Sequence, residues 1–233
     1  MSQAARDPAR EKARAARAAA ERVEPGMIVG LGSGSTALLL VDALGDRCAR
    51  GLDIVGVPTS EETAARARRR GIPLVEGLVP PRVDLVLDGT DEFDDRLRLI
   101  KGGGGMLLRE KIVASAATHM IVMCDQSKRV DVLGAFPLPV EVVPIARARV
   151  ARSLTALGVE PTLRIRGGEP FVTDEGNVIL DCPFGRIDDP EALAAAIIAL
   201  PGVVEHGLFI GLAHEVLMAE GDAIRVFRAR LED

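Results

Sequence analysis

The sequence contains no tryptophan and no tyrosine, and aromatic residues make up only 3% of it. The hydrophobic core must therefore be built from aliphatic side chains, which belong to the 48% of residues that are apolar. Proteins that bind single-stranded nucleic acid usually stack the bases on aromatic side chains. The scarcity of aromatic residues therefore argues against this function.

Cysteine and histidine are also scarce. The three cysteines, Cys48, Cys124 and Cys182, are far apart, and no CxxC pair occurs. An odd number of separated cysteines argues against a disulfide framework and against a structural zinc site. The three histidines are dispersed at spacings that match no metal site. We therefore expect no metal site, and a reducing cytoplasmic location.

Long apolar runs are missing as well. No stretch of about 18 apolar residues occurs, which argues against a membrane-spanning helix. The N-terminal residues are charged and lack the apolar centre of a signal peptide. We expect no membrane partner, in agreement with a cytoplasmic location.

Positive charge is not in excess, because 29 lysines and arginines are outnumbered by 34 acidic residues. A protein that binds a phosphate backbone is normally basic overall, so nucleic acid is not an expected partner. An anionic small molecule is still compatible with the net charge of -5, because only its pocket needs to be positive.

What the sequence does contain is a regular alternation of apolar strands and helices. Such alternation is typical of an α/β protein with a Rossmann-like, mostly parallel sheet covered by helices on both faces. Ligands of these sheets bind beyond the carboxyl ends of the strands. We expect four unusual segments to converge there, namely Gly32–Thr36, Asp88–Asp91, Lys101–Gly105 and Asp125–Lys128.

From about Phe136 the pattern changes to the order β-α-β-β-α-β, which is that of a ferredoxin-like α+β domain. A length of 233 residues accommodates one large domain and a small second one. The predicted organisation is a Rossmann-like catalytic domain of residues 1–133 and 207–233, and a ferredoxin-like domain of residues 134–206.

The segment Gly32–Thr36 follows the first predicted strand. Its glycines let backbone amides approach an anion, its hydroxyls add donors, and the following helix directs its positive end at the site. The dinucleotide fingerprint needs a glycine where Ser35 stands, and the nucleotide P-loop needs a lysine after the last glycine; the sequence has neither. The segment predicts either a site for a phosphate monoester or a tight turn with a helix cap.

Acidic residues follow the strand that ends at Leu87. Asp88 and Asp91 are suited to proton transfer or to binding sugar hydroxyls. A solvated acidic turn is the competing interpretation, and it is the one we favour for Asp94 and Asp95.

Four consecutive glycines follow Lys101, and their cost in conformational entropy indicates that the backbone must lie very close to a neighbour. Lys101 is a candidate for stabilising an oxyanion, and Glu110 is a candidate base. A lone glutamate in such a context is, however, more often a surface residue. Lys128 stands just past a strand end, and Lys12 is expected to be solvated unless its helix covers the loop Gly32–Thr36.

Together these motifs resemble the ribose-5-phosphate isomerase type A family. The resemblance extends over nearly the whole chain. It rests on Gly32–Thr36, Asp88–Glu92, Lys101–Gly104, Arg109–Lys111, Asp125–Lys128, Phe136–Val142 and Gly176–Asp181.

The resemblance implies interconversion of D-ribose 5-phosphate and D-ribulose 5-phosphate through an enediol, in the non-oxidative pentose phosphate pathway, with no metal or organic cofactor. It implies that Glu110 is the base and that Asp88, Asp91 and Lys101 assist catalysis. It further implies a lid role for the ferredoxin-like domain, and a homodimer or a dimer of dimers. The implied substrate-binding residues are Ser33, Gly34, Ser35, Thr36, Asp88, Gly89, Thr90, Asp91, Lys101, Gly102, Gly103, Gly104, Lys128 and Lys12.

Two other functions are compatible with parts of the sequence. A sugar-phosphate sensor, as in some transcriptional regulators, would need a DNA-binding segment, yet only one helix precedes the first strand and the chain is acidic. Another sugar-phosphate enzyme, such as an amino-sugar deaminase or a lactonase, would be distinguished by its product.

Overall fold

The computed structural model describes residues 7–229. Residues 1–6 and 230–233 lie outside this range; they are the ends of the predicted first domain, and the former belong to the segment considered for a signal peptide. The α-helices are α1 (Pro8–Ala20), α2 (Gly34–Cys48), α3 (Glu61–Arg69), α4 (Leu107–Ser115), α5 (Arg147–Ala156) and α6 (Pro190–Ile198).

The strands are β1 (Ile28–Leu31), β2 (Val55–Pro58), β3 (Val83–Asp88), β4 (Glu92–Phe93), β5 (Leu99–Ile100), β6 (Ala117–Asp125), β7 (Leu138–Val142), β8 (Thr162–Leu163), β9 (Ile165–Arg166), β10 (Glu169–Pro170), β11 (Val178–Cys182), β12 (Val203–His206), β13 (Leu208–Phe209), β14 (Glu215–Glu220) and β15 (Ala223–Arg228).

The described chain divides into two compact units. The first unit consists of residues 7–89, 113–128 and 213–229, and the second of residues 90–112 and 129–212. The span 134–206, predicted to be a lid domain, lies within the second unit. The predicted division into a catalytic domain and a lid stays a prediction.

The first unit is built on a six-stranded sheet with the order β2-β1-β3-β6-β14-β15. All neighbouring strands are parallel except the pair of β14 and β15, which confirms the predicted mostly parallel sheet. Strand β1 lies between β2 and β3, so the chain changes its direction of winding there. Such a switch point leaves a crevice at the carboxyl ends of β1 and β3, and ligands of open sheets bind in this crevice.

Three of the four segments predicted at this edge are there. The segment Gly32–Thr36 follows β1, Asp88 ends β3, and Asp125–Lys128 ends and follows β6. The segment Lys101–Gly105 does not follow a strand of this sheet, and its convergence with the other three segments stays a prediction. That segment follows β5, which belongs to a small antiparallel sheet of the second unit with the order β13-β5-β4. The reason is that β3 is followed by a short hairpin and not by a crossover helix.

Helix α1 illustrates how an aliphatic core without large aromatic rings is packed in the first unit. Asp7 caps the helix by accepting a hydrogen bond from the Arg10 amide, and proline follows at the first helical position. A stripe of buried alanines lets the helix approach α2 and the strands β6 and β14 closely. These alanines share one core with the aliphatic side chains of β1, α2, β3 and β6.

Helix α2 begins earlier than the sequence suggests. The helix was expected to follow the segment Gly32–Thr36, but it starts at Gly34, with Ser33 in an extended conformation at the N-cap. Ser35 and Thr36 therefore belong to the first helical turn, where backbone amides have no intrahelical acceptor.

The second unit contains a four-stranded antiparallel sheet with the order β12-β7-β11-β8. Numbered along the predicted β-α-β-β-α-β segment, this is the order 4-1-3-2, and it confirms the ferredoxin-like prediction. Its core combines aliphatic residues of these strands with those of α5 and α6. A small hairpin of β9 and β10, which was not predicted, lies between β8 and β11 along the chain.

The segment Val203–Phe209 forms two strands, β12 and β13, which are divided at Gly207. The Gly207 amide donates to the Pro139 carbonyl at 2.8 Å, while the Gly207 carbonyl accepts from the Lys101 amide at 2.9 Å. The chain thus passes from the four-stranded sheet to the three-stranded one at this residue.

Among the helices of residues 7–229, none is long and apolar enough to cross a membrane.

Candidate functional site

Asp88 organises the polar residues of the first unit. Its side chain is buried, and Oδ1 accepts hydrogen bonds from the amides of Ser33 at 3.1 Å and Gly89 at 2.7 Å. A Cβ atom on Gly32 would lie only 2.0 Å from this oxygen, so only glycine fits there. The carboxylate thereby holds the start of the loop Gly32–Thr36 against the end of β3.

Ser33 has a second partner that the sequence analysis missed. Its hydroxyl lies 2.6 Å from Oγ1 of Thr59, a buried residue that follows β2. The Thr59 hydroxyl also contacts the Leu31 carbonyl at 3.1 Å. A threonine directly after a strand adjacent to β1 was the available signal, because strands β1 and β2 end at the same edge of the sheet.

Lys12 reaches the loop, although it was expected to be solvated unless its helix covered that loop. Its Nζ donates to Ser35 Oγ at 3.2 Å, because α1 packs on α2. Thr36 is buried beside Gly89, whereas Ser35 is exposed. Lys128 ends a short 3-10 helix after β6 and is partly exposed. The first unit thus brings a lysine ammonium, hydroxyl groups and the N-terminal end of α2 to one edge of the sheet.

Lys101 and Glu110 form the central pair of the second unit. Lys101 Nζ lies 3.1 Å from Glu110 Oε2, and the two residues are only 3% and 5% exposed. The interpretation of Glu110 as a surface residue is therefore wrong. Glu110 lies in the first turn of α4, and its amide donates to the Met106 carbonyl at 3.0 Å.

A buried phenylalanine lies beside this pair. The Phe209 ring centroid is 5.4 Å from Lys101 Nζ and 4.9 Å from Lys111 Nζ, distances at which the ring face attracts a cation. Lys111 donates to Glu205 Oε1 and to the His206 carbonyl, each at 2.7 Å. Burial lowers the pKa of Lys111, and the neighbouring Glu205 carboxylate acts in the opposite direction.

Asp91 and Thr90 hold the segment that precedes β4. Asp91 Oδ2 accepts a hydrogen bond from the Gly103 amide at 2.8 Å. The Thr90 hydroxyl contacts the carbonyls of Glu92 at 2.6 Å and Ile100 at 3.0 Å. Gly102, Gly103 and Gly104 form a loop next to Lys101, and a Cβ atom on Gly103 would lie 2.7 Å from Asp91 Oδ1. This contact explains why the chain needs glycine there.

The two acidic residues that follow β4, Asp94 and Asp95, differ in their exposure to solvent. Asp94 is buried and accepts hydrogen bonds from the amides of Arg96 and Arg98, each at 3.0 Å, so its interpretation as solvated is wrong. Asp95 is exposed, as expected. Within residues 7–229, no three His, Cys, Asp or Glu side chains are grouped as a metal ion would require.

These observations define the class of the protein. It is an α/β protein with a loop of amides and hydroxyls at the switch point of a parallel sheet, and with a buried lysine–glutamate pair beside a glycine-rich loop. The first unit thus contains an anion-binding element, and the second unit contains a carboxylate next to a cation; each is an element that sites for anionic small molecules use.

Comparison with known proteins makes the assignment specific. The family model of ribose 5-phosphate isomerase A (phosphoriboisomerase A) matches residues 55–223. Ribose-5-phosphate isomerase A of Roseiflexus castenholzii is 57% identical over 215 residues, which are 91% of this chain and 92% of that protein. The chain belongs to the ribose 5-phosphate isomerase A family.

Solved structures agree with this assignment. Ribose 5-phosphate isomerase A of Methanocaldococcus jannaschii is 39% identical, with a TM-score of 0.88 over 94% of this chain and 98% of that one. A D-ribose-5-phosphate isomerase in complex with phospho-erythronic acid is 36% identical, with a TM-score of 0.92 over 96% of this chain and 100% of that one.

Proposed function

We propose that this protein is an isomerase that interconverts D-ribose 5-phosphate and D-ribulose 5-phosphate. In the forward direction a base removes the C2 proton of the open-chain aldose, and the electron pair forms an enediolate. A proton returned to C1, with transfer of the hydroxyl proton from O2 to O1, gives the ketose. The atoms balance without an oxidant or a reductant.

The observation that carries the proposal is the buried contact of Lys101 Nζ and Glu110 Oε2 at 3.1 Å. Glu110 acts as the base that moves the proton between C1 and C2. Lys101 supplies positive charge to the enediolate oxygen, and its effect is large because the pair is shielded from water. No metal ion and no organic cofactor takes part in this scheme.

The residues Ser33, Gly34, Ser35 and Thr36 bind the phosphate group. The position of Ser35 and Thr36 in the first turn of α2 supports this role, because the N-terminal amides of a helix and its dipole favour an anion. The contact of Lys12 with Ser35 supports a contribution from its ammonium group. Lys128, which follows β6, is proposed as a further contact of the substrate.

The segment Asp88–Asp91 and the glycines 102–104 bind the sugar hydroxyls. Two contacts support this role: the Asp88 carboxylate is held by the amides of Ser33 and Gly89, and the Asp91 carboxylate by that of Gly103. Carboxylates fixed in this way accept hydrogen bonds from hydroxyl groups without having to be ordered first. Asp88 and Asp91 also assist the proton transfers at the oxygens.

The test is a direct assay of ribulose 5-phosphate formation from ribose 5-phosphate in the presence of excess EDTA, with unphosphorylated ribose as the matched control. We expect turnover of ribose 5-phosphate, incorporation of solvent deuterium into the product, and far poorer turnover of ribose. Loss of activity with EDTA that one divalent ion restores would contradict the proposed role of Lys101.

Other results would favour the alternative functions. Binding of ribose 5-phosphate without turnover would favour a sensor, and release of ammonia from an amino-sugar phosphate would favour a deaminase. The proposal also includes a cytoplasmic location and assembly into a homodimer or a dimer of dimers. Sedimentation analysis of the purified protein tests the assembly, and a monomer at all concentrations would contradict it.

A further inference from the structure

We propose that Arg164, held in place by Asp181, is a positioning residue that orients the glycine loop Gly102–Gly104 and, through it, Lys101. The inference rests on the proposed function of Lys101. All the residues concerned lie in the second unit.

The guanidinium of Arg164 connects two parts of this unit. Its Nη1 donates to the carbonyl oxygens of Gly102 at 2.8 Å and of Gly103 at 3.2 Å. On its other side, Nε donates to Asp181 Oδ2 at 2.9 Å and Nη2 donates to Asp181 Oδ1. The side chains of Arg164 and Asp181 are only 12% and 22% exposed, so these charged hydrogen bonds are largely protected from solvent.

The backbone of Arg164 is fixed as well. Its amide donates to the Ile179 carbonyl, and its own carbonyl accepts from the Phe171 amide, both at 2.9 Å. Asp181 lies on β11, opposite Pro139 of β7 and Thr162 of β8 in the four-stranded sheet. Arg164 thus links the glycine loop, which is conformationally free by itself, to the regular hydrogen bonding of this sheet.

A second arginine extends the same pattern. Arg166 Nη2 lies 3.4 Å from the Gly104 carbonyl, and its guanidinium lies 4.2 Å from the centroid of the Phe171 ring. That ring fills the space beside Gly105, where a Cβ atom would come within 2.3 Å of it. The carbonyls of three successive glycines are therefore directed at arginines.

The orientation of these peptides matters for an enediolate. A carbonyl oxygen that faced a developing negative charge would repel it, whereas an amide would stabilise it. Arg164 engages the Gly102 and Gly103 carbonyls, and Asp91 engages the Gly103 amide, so this part of the loop has one orientation. Lys101 directly precedes the loop, so a loop held in one conformation also holds the Cα atom of Lys101 in one position.

Only arginine can make this set of contacts. The planar guanidinium offers five donors in a fixed fork, of which Nε and Nη2 bind the carboxylate while Nη1 binds the carbonyls. A lysine ammonium at the same place is a point charge and cannot reach both groups with this geometry.

The experiment compares Arg164→Met, Arg164→Lys, Asp181→Asn and the double variant Arg164→Met/Asp181→Asn with the wild type. Arg186→Met is the matched control, because Arg186 belongs to the same unit and its partner is the exposed Asp188. We expect Arg164→Met to lower kcat by about tenfold to a hundredfold, since small misplacements of catalytic groups have effects of this size. KM should rise by a smaller factor than kcat falls, because the glycines of this loop are also proposed to contact the sugar.

The other variants define how the effect arises. Arg164→Lys should recover only part of kcat, and Asp181→Asn should lower kcat less than Arg164→Met. The double variant should match Arg164→Met within about twofold, because Asp181 acts only through Arg164. Circular dichroism and Tm identify any variant that does not fold; if Arg164→Met fails, Arg164→Lys and Asp181→Asn carry the test.

Hydrogen exchange of the loop amides provides a readout that does not depend on activity. Exchange in residues 101–105 should become faster in Arg164→Met and Asp181→Asn, but not in Arg186→Met. Unchanged exchange, a kcat within about twofold of the wild type, an increase in KM alone, or effects that multiply in the double variant would each overturn the inference. A wild type without isomerase activity would instead contradict the proposed function, and exchange would still test whether Arg164 orders the loop.

Discussion

Glu110 and Lys101 are each charged groups that would be costly to remove from water alone, and they are buried together. Their pairing offsets part of this cost, but the pair is weak evidence for a stabilising role, because apolar residues of similar size often replace such pairs without loss. A buried lysine–glutamate pair next to a glycine loop that is unfavourable in conformational entropy is more readily explained by function than by stability.

The first prediction concerns Glu110. Glu110→Gln keeps the size of the side chain and leaves an oxygen for Lys101, but it removes the base. Because general-base catalysis contributes about 10²–10⁴ in rate, kcat should fall by at least about 100-fold while KM changes little. Exchange of the substrate C2 proton with deuterated solvent should slow in parallel.

Glu191→Gln is the matched control, because the Glu191 side chain is exposed and pairs with Arg98. Its kcat should equal that of the wild type. Near-normal turnover in Glu110→Gln would remove Glu110 from the mechanism and transfer the role of the base to Asp88 or Asp91.

The second prediction concerns Thr36 at the start of α2. Thr36→Val keeps the shape of this buried side chain but removes the hydroxyl proposed to bind phosphate. A hydrogen bond to a charged group contributes about 1.5–3 kcal/mol, so the Kd for ribose 5-phosphate should rise by roughly tenfold or more. Calorimetric titration measures this change.

Thr155→Val is the control for Thr36, because the exposed Thr155 donates within its own helix to the Ala151 carbonyl. Its Kd should be that of the wild type. An unchanged Kd in Thr36→Val would mean that the phosphate group does not contact this hydroxyl.

At the scale of elements, the helix caps give a test of stability that is independent of function. Asp189 Oδ1 accepts a hydrogen bond from the Ala192 amide at the start of α6. Asp189→Ala should lower the free energy of unfolding by about 0.5–2 kcal/mol, as measured by urea denaturation. The neighbouring Asp188 is exposed and pairs with the exposed Arg186, so Asp188→Ala should change the free energy of unfolding by less than about 0.5 kcal/mol.

The elements differ in how far sequence could predict them. The parallel strands and the ferredoxin-like order follow from apolar periodicity and from clear helix-start signals, such as Asp189 before Pro190. The hairpin of β9 and β10 is short and exposed, so it leaves no periodic pattern. The start of α2 at Gly34 was missed because glycine and serine favour turns as strongly as helix caps.

The residues of the candidate site likewise divide into those that the sequence indicated and those that it did not. The segments with Asp88, Lys101 and Glu110 were found because acidic and glycine-rich runs after strands are unusual. Thr59 was missed although its place directly after β2 was a usable signal, and Arg164 was missed because an arginine between two short strands carries no signal until its partners are known. Their roles depend on contacts with Ser33 and with Gly102 that are distant along the chain.

At the scale of the whole molecule, stability should depend on the protonation of His206. Burial lowers the pKa of His206 to about 4, and the nearby Lys111 ammonium acts in the same direction. The unfolded chain, with a histidine pKa near 6.5, then binds more protons between these two values. The free energy of unfolding should therefore decrease as the pH falls from about 6.5 to about 4, and this contribution should not change below that.

Urea denaturation at a series of pH values tests this dependence, with His206→Asn as the comparison. Asparagine offers an oxygen near the position of Nδ1, which accepts from the Leu208 amide at 3.2 Å. The variant should lose stability less steeply over this pH range, because its side chain does not titrate. Equal slopes for the two proteins would show that His206 is not responsible.

The position of β14 has a consequence for synthesis on the ribosome. Strand β14 pairs with β6 on one side and with β15 on the other, yet it follows β6 only after the whole of residues 129–212. During translation the N-terminal strands emerge first, so β6 keeps one edge of unpaired amides and carbonyls while the intervening residues are made. A nascent chain that stalls before Glu215 would expose this apolar edge, and it would be a substrate for chaperones or a seed for aggregation.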